Sequence, residues 1–190
     1  PRRRLQNIEL TLLYDVNTPL LGPLGGIRTF GPQKGAVGSS LDRLERRVES
    51  LTHRLSAQVP HLTPQKSGFG AAGGVAFGLS TCASLTLTQG AGYLLDLLAF
   101  NQRLSRADWV ITGEGQLDAQ SLAGKATWEV LERARSLDKP AVAIVGSQAG
   151  PPPPIPIYTI THHAPDLETS MRDALKYLRR LGALFVSDHL

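Results

Sequence analysis

The stretch WVITGEGQLDAQSLAGK, residues 109–125, gathers Gly113, Glu114, Gly115, Asp118, Gly124 and Lys125 into one connection after an apolar run. Glycines there permit positive φ and present backbone N–H groups, and the N-terminus of a following helix favours an anion. Two acids beside an anion conflict unless a cation or a substrate hydroxyl lies between them. Mg2+ carried by a nucleotide removes the conflict, because carboxylates and phosphates can share the metal. Lys125 can then reach phosphate as a point charge. The same letters also fit a plain connection, in which Asp118 or Ser121 caps the helix, Gly113 and Gly115 shape a turn, and Lys125 is solvated. The spacing matches neither a dinucleotide fingerprint nor a P-loop.

Three further segments hold residues of similar character. In FGPQKGA (30–36), Gly31, Pro32 and Gly35 bend the chain around Gln33 and Lys34, and Lys34 could hold a phosphate or a carboxylate or stay solvated. In YDVNTPL (14–20), Asp15 stands where a strand ends; it could take a proton from a hydroxyl, hold metal, or open an Asx-turn. GFGAAGG, with Gly70 and Gly73, could cradle an anion or simply pack closely. His162 and His163 follow a strand, but no recognised zinc-ligand spacing surrounds them. The serines lack a G-x-S-x-G elbow, which argues against an α/β-hydrolase.

The elements that must position these groups are legible in outline. IELTLLYDV (8–16) reads as a buried strand leading into a long Pro- and Gly-rich loop. Residues 39–58 form an amphipathic helix with Leu41, Leu44, Val48, Leu51 and Leu55 on one stripe, opened by a capping box of Ser39 and Asp42. GAGYLLDLLAFNQRL is a helix. Residues 107–112 are a strand, 113–124 a loop, 125–136 a helix, and KPAVAIVGS a second strand. Strand, helix, strand with continuous apolar strands implies a right-handed crossover in a parallel sheet. Four prolines, 151–154, form a stiff spacer before a third strand, IPIYTIT. A final helix from about Asp166 is expected to bury Leu167, Met171, Leu175 and Leu178. The fold class expected is α/β, an open, mostly parallel sheet with flanking helices, Rossmann-like or flavodoxin-like. Residues 1–90 would belong to a loop- and glycine-rich part of one α/β domain, and 91–190 to another. Ligands of such sheets sit beyond the carboxyl ends of the strands.

Composition bounds the remaining choices. The chain has 190 residues, 42% hydrophobic and 19% charged, so a packed core is expected. Its single cysteine, Cys82, excludes an internal disulfide and suits a reducing, cytoplasmic setting. No run of eighteen apolar residues is present, so no membrane span is expected. The net charge of +4 invites anionic partners, but aromatics are only 6%, a poor footprint for nucleic acid. A phosphorylated small molecule satisfies the same charge. The first residue is Pro1, so a processed or incomplete chain is expected, and a homo-oligomer is left open.

DVNTPLLGPLGG, TFGPQKGA, GFGAAGG and ADWVITGEGQLDAQSLAGKA, followed by KPAVAIVGS, occur in one order. That order resembles the bacterial-type glycerate kinase family, which is unrelated in motif to P-loop kinases, over residues 8–182. The resemblance implies a two-domain α/β fold and transfer of the ATP γ-phosphoryl group to a hydroxyl of D-glycerate, with ATP and Mg2+ as cofactors. It also implies site residues. Asp15 would act as base or metal ligand, and Glu114 and Asp118 would serve substrate hydroxyls or Mg2+. Lys34 and Lys125 would meet phosphate or carboxylate. Gly31, Gln33, Gly70, Gly73, Gly113, Gly115 and Gln120 would line the substrate and phosphate positions. The family usually carries Asn at Thr18 and Arg at Gln116. Its APDSFKGS-like and GGSATNDGG-like segments have no counterpart here, so the chain is expected to be a C-terminal half. That half would work joined to its other part, or be a truncated, non-catalytic paralogue or fragment that binds a small anion or a partner protein.

Overall fold

The computed structural model describes residues 5, 7–59, 61–118, 125–150 and 154–190. They divide into two compact units, Pro1–Tyr93 and Leu94–Leu190.

In the first unit, β1 (Glu9–Tyr14) pairs in parallel with β2 (Ser84–Gln89), from Glu9 opposite Ser84 to Tyr14 opposite Gln89. The crossover between them carries α1 (Gly26–Phe30), α2 (Ser39–Ser56) and α3 (Val75–Ser80). β2 has no counterpart among the expected elements. Its signal is the alternation of Leu85 and Leu87 with Ser and Thr in SLTLTQ. β1 was expected to be buried, yet only its alternate residues are shielded: Leu12 joins the core while Leu13 is 39% exposed. A strand covered on one face keeps the period of two.

Helix α2 uses three of the five residues of its apolar stripe. Leu41, Val48 and Leu55, one heptad apart, pack on a core of Leu20, Leu21, Ile27, Leu62, Phe69 and Phe77. Leu44 and Leu51 stay open to solvent. The expected capping box does not form. The N-cap is Gly38, without a side-chain bond, and Asp42 instead accepts a hydrogen bond from Arg28 at 3.0 Å. Asp42 is drawn away because a guanidinium satisfies a carboxylate better than a lone backbone N–H does. Ser40 stabilises the turn, accepting from Val37 N at 2.9 Å and donating to Val37 O at 2.7 Å.

The second unit begins inside α4 (Gly90–Leu97), which is separated from α5 (Phe100–Leu104) by Ala99 at φ 50°. The continuous helix expected from 90 to 104 is therefore two. β3 (Val110–Thr112), β5 (Ala141–Val145) and β7 (Ile157–Thr159) form a parallel sheet in the order β3-β5-β7. The central strand AVAIV has Val142, Ala143 and Val145 fully shielded, as a strand flanked on both edges and covered on both faces requires. Between β3 and β5 lie β4 (Gln116–Leu117) and α6 (Ala126–Ser136); β4 pairs in parallel with β6 (Ser147–Gln148). Helix α6 buries Thr127, Leu131 and Ala134, and its Glu129 and Arg133 pair one turn apart at 2.9 Å.

The C-terminal helix departs from expectation in an informative way. It is two helices, α7 (Leu167–Arg172) and α8 (Ala174–His189), divided at Asp173. Leu167, Met171, Leu175 and Leu178, the stripe expected to be buried, are 62%, 74%, 63% and 41% exposed. The buried face of α8 is Tyr177, Leu181 and Phe185, which obeys the helical period equally well. Its aromatic residues decide the competition. Phe185 packs edge-on against Trp109 at 5.1 Å and faces Tyr158 at 6.5 Å, contacts worth more than aliphatic burial alone. The architecture is α/β, with parallel sheets flanked by helices.

Candidate functional site

The charged connection of the second unit is held down on several sides. After Thr112 the chain leaves β3 through Gly113, whose carbonyl accepts a 3.3 Å hydrogen bond from the buried hydroxyl of Thr127 in α6. Three residues on, β4 lies beside β6, the segment that leaves the neighbouring strand β5. Gly146 N donates to Glu114 O at 3.1 Å, Ser147 N to Gly115 O at 3.0 Å, and Ala149 N to Leu117 O at 2.8 Å. Gly146 O in turn accepts from Thr161 N at 3.0 Å. Leu117, 2% exposed, is buried with Ala143 and Val145 beneath this layer. The loop is thus fixed from below by an apolar residue and from the side by backbone bonds, leaving its charged side chains to face other partners.

Those side chains converge. Lys125 Nζ lies 3.9 Å from Glu114 Oε2 and 3.9 Å from Asp118 Oδ1, with side chains 33%, 17% and 30% exposed respectively. Both separations are ion-pair distances too long for a hydrogen bond, so the ammonium sits between two carboxylates without being locked to either. Lys125 is itself the N-cap residue of α6 and makes no side-chain capping bond. Ser121, Gln120 and Gly124 lie outside the described residues.

The candidates of the first unit lie on several separate turns. Asp15 is exposed just beyond β1, and a Cβ on Gly90, beyond β2, would come within 2.9 Å of its Oδ1. Gly70 is buried against Thr18 and Pro19, its N–H donating to Thr18 O at 2.9 Å; a Cβ there would meet Pro19 O at 2.2 Å. Close packing, then, accounts for Gly70, and likewise for Gly31, where a Cβ would lie 2.5 Å from Ile27 O. Gly73 ends a 3-10 turn at φ 68°. Gln33 and Lys34 are exposed on the 3-10 turn Pro32–Lys34. The sequence candidates thus form two groups, one in each unit. In the second unit Glu114, Asp118 and Lys125 form a charged triad, with Gly113 and Gly115 in the same loop.

Sequence reasoning missed the wall that faces this loop. A cleft of about 800 Å3 opens beside it, lined by Glu114, Gly115, Ser147, Ile160, Met171 and Leu178 among others, within the size range of small-molecule sites. The nearest signal was the Gly146-Ser147 pair directly after a buried strand. A second concavity, about 510 Å3, lies at Trp109, Pro140 and Pro156, before the starts of β3, β5 and β7. Ligands of parallel sheets bind at the opposite, carboxyl ends, so the chemistry belongs to the first. Asp166 steadies the helix that forms this wall. Its Oδ1 accepts from Thr169 N at 2.7 Å, and that backbone bond holds the carboxyl below the ordinary aspartate range. A depressed folded-state pKa adds stability that is present above the unfolded value of about 3.9 and is lost as pH falls through the folded value. The melting-temperature gap between the protein and Asp166→Ala is accordingly constant above about pH 5 and closes on acidification. A gap independent of pH would show that the cap contributes nothing as an ion.

The second unit is thus a parallel α/β scaffold in which two acids after β3 and a lysine at the start of α6 stand close to a ligand-sized cleft. The sequence profile of the glycerate kinase family matches residues 1–187. A glycerate kinase from Bacillus subtilis is 33% identical over 93% of this chain and 48% of its own length. One from Neisseria meningitidis serogroup B is 35% identical over 94% of this chain and 48% of its own. A glycerate 2-kinase from Escherichia coli K12 is 31% identical over 76% of this chain. In structure, a provisionally named glycerate kinase 2 from Salmonella typhimurium LT2 superposes with a TM-score of 0.59 at 29% identity, covering 99% of this chain and 51% of that one. The chain belongs to the glycerate kinase family. It spans about half the length of the curated relatives it matches.

Proposed function

We propose that this chain carries the phosphoryl-handling part of a glycerate kinase, which transfers the γ-phosphoryl group of ATP to a hydroxyl of D-glycerate. The observation that carries the reading is Lys125 held 3.9 Å from both Glu114 and Asp118 at the strand ends. Phosphoryl transfer needs positioning and charge neutralisation more than covalent chemistry. A lysine that is near two carboxylates but bonded to neither can move onto a phosphate oxygen without first breaking a strong hydrogen bond.

Two hard carboxylates suit Mg2+, which commonly takes one or two protein carboxylates and completes its shell with water and substrate phosphates. Among the described residues there is no cluster of three or more acidic, His or Cys side chains for a metal, so the fit is to a cation that arrives with the nucleotide. Glu114 and Asp118 would hold it, and bound there it would neutralise charge on the transferring group. Lys125 stabilises the same charge directly, and the Gly113–Gly115 backbone lets a phosphate approach closely. Asp15, exposed beyond β1, is the group we assign to the hydroxyl proton of the acceptor. Lys34 is our candidate for the acceptor's carboxylate, on its turn beside Gln33. We place the activity in the cytoplasm, in keeping with the single free cysteine.

The test is ATP consumption with D-glycerate, followed by phosphorus NMR of the product, for this chain and for a version extended to the length of its relatives. Phosphoglycerate from either supports the reading. A folded extended protein that makes none sinks it and favours the second reading, a non-catalytic module that binds a small anion or a partner protein.

A further inference from the structure

We propose that the cleft between the Gly113–Gln116 loop and helices α7 and α8 seats the purine ring of a nucleotide, with its phosphates running past Glu114 toward Lys125. The inference rests on the phosphoryl-transfer reading above and adds where the base goes. Its first support is the unlike character of the two walls. One is polar and glycine-rich, from Gly113, Glu114, Gly115, Gln116, Gly146 and Ser147, and a Cβ on Gly115 would meet nothing within 4 Å. The other is aliphatic, from Ile160, Leu167, Met171 and Leu178. A slot with the open peptide plane at Gly115 and polar groups on one side and flexible aliphatic side chains on the other suits a flat ring with polar edges.

The second support is exposure. Met171, the only methionine of the chain, is 74% exposed, and Leu167 and Leu178 stand open beside it. Large apolar side chains at a cleft mouth gain free energy when covered. A thioether also packs favourably against the edge of an aromatic ring and adapts to its outline. Third, the charge that the cleft carries is continuous with the triad. Glu114 lines the cleft and also stands 3.9 Å from Lys125, so the apolar space leads directly to the ammonium. A flat ring with an anionic tail matches that gradient; a sugar acid alone, polar throughout, does not. The volume of about 800 Å3 leaves room for ring and ribose.

The test compares two probes by titration calorimetry, ADP with Mg2+ and inorganic tripolyphosphate with Mg2+, on this chain and on Met171→Glu and Leu178→Glu. A carboxylate against the ring face weakens ADP by about tenfold or more, while tripolyphosphate, which lacks the ring, binds as before. Melting curves guard the comparison, and should either glutamate variant melt early, Met171→Ala and Leu178→Ala replace it. Unaltered ADP affinity in the variants, parallel loss of both probes, or no ADP binding by the parent chain overturns the proposal. So does a change of self-association on sedimentation with ADP binding intact, which would make the stripe an interface with a second copy. The two readings fail separately. Phosphoglycerate formation with an unchanged KM for ATP in Met171→Glu removes the purine seat and leaves the kinase. ADP binding that depends on Met171, without phosphoryl transfer, does the reverse.

Discussion

If the proposed phosphoryl-transfer reading holds, replacing Lys125 with alanine lowers glycerate-dependent ATP turnover by about 10²–10³-fold, the usual loss when one preorganised charge-stabilising group is removed from a transfer site. The melting temperature moves little. That asymmetry follows from geometry. At 3.9 Å from each carboxylate and one third exposed, the lysine makes ion pairs of the weak, solvent-screened kind, worth at most about 1 kcal/mol. Its N-cap position at α6 uses only backbone geometry, which alanine can reproduce. Lys125→Arg recovers part of the charge but not the point-like reach, because a planar guanidinium seeks paired acceptors. Asp118→Asn follows the same pattern, with activity lost and stability kept. Steady-state kinetics beside melting curves decide the matter. A large fall in melting temperature with normal turnover would reassign the triad to structure.

Gly113→Ala destabilises the second unit by about 3 kcal/mol, at the upper end of what one added methyl group costs in a packed site. The new Cβ would fall 2.2 Å from Ile144 O, a backbone oxygen of the central strand that cannot swing aside as a side-chain tip can. Relief requires β3 to move away from β5, where Val110, Ile111 and Thr112 pair with Ala141, Val142 and Ala143. It also stretches the bond from Thr127 to Gly113 O. The urea midpoint should drop while the slope of the transition stays constant, since the same surface is exposed on unfolding. An unchanged midpoint would mean that β3 already leaves space beside Ile144.

The parallel core was legible in the sequence because its strands are apolar on both faces and its turns are marked by Gly and Pro. AVAIV needs no partner information to read as a continuous apolar strand of a parallel sheet, and the charged loop after WVIT stood out by composition alone. What failed did so where two solutions obey the same periodicity. The C-terminal segment carries one apolar stripe through Leu167, Met171, Leu175 and Leu178 and another through Tyr177, Leu181 and Phe185. Only the position of Trp109 and Tyr158, remote in sequence, selects the second. The Ser39–Asp42 box failed for a related reason, since Arg28 competes for the aspartate from eleven residues before Ser39. The strand SLTLTQ was hidden by its polar half. As for the site, types and spacing pointed to Glu114, Asp118 and Lys125, whereas the apolar wall opposite is assembled from segments at least 35 residues further along.

The stitching of two strand ends into one layer also bears on how this scaffold can be changed. Residues 113–117 and 146–149 are joined by backbone bonds in a fixed register. An insertion or deletion in either shifts both, and the buried Leu117 permits no compensating slide. Loop grafting aimed at a new acceptor must therefore move the pair as a single cassette. Point substitutions on the α7 and α8 side, which donate no backbone bond to that layer among those described, offer the free variable for redesign.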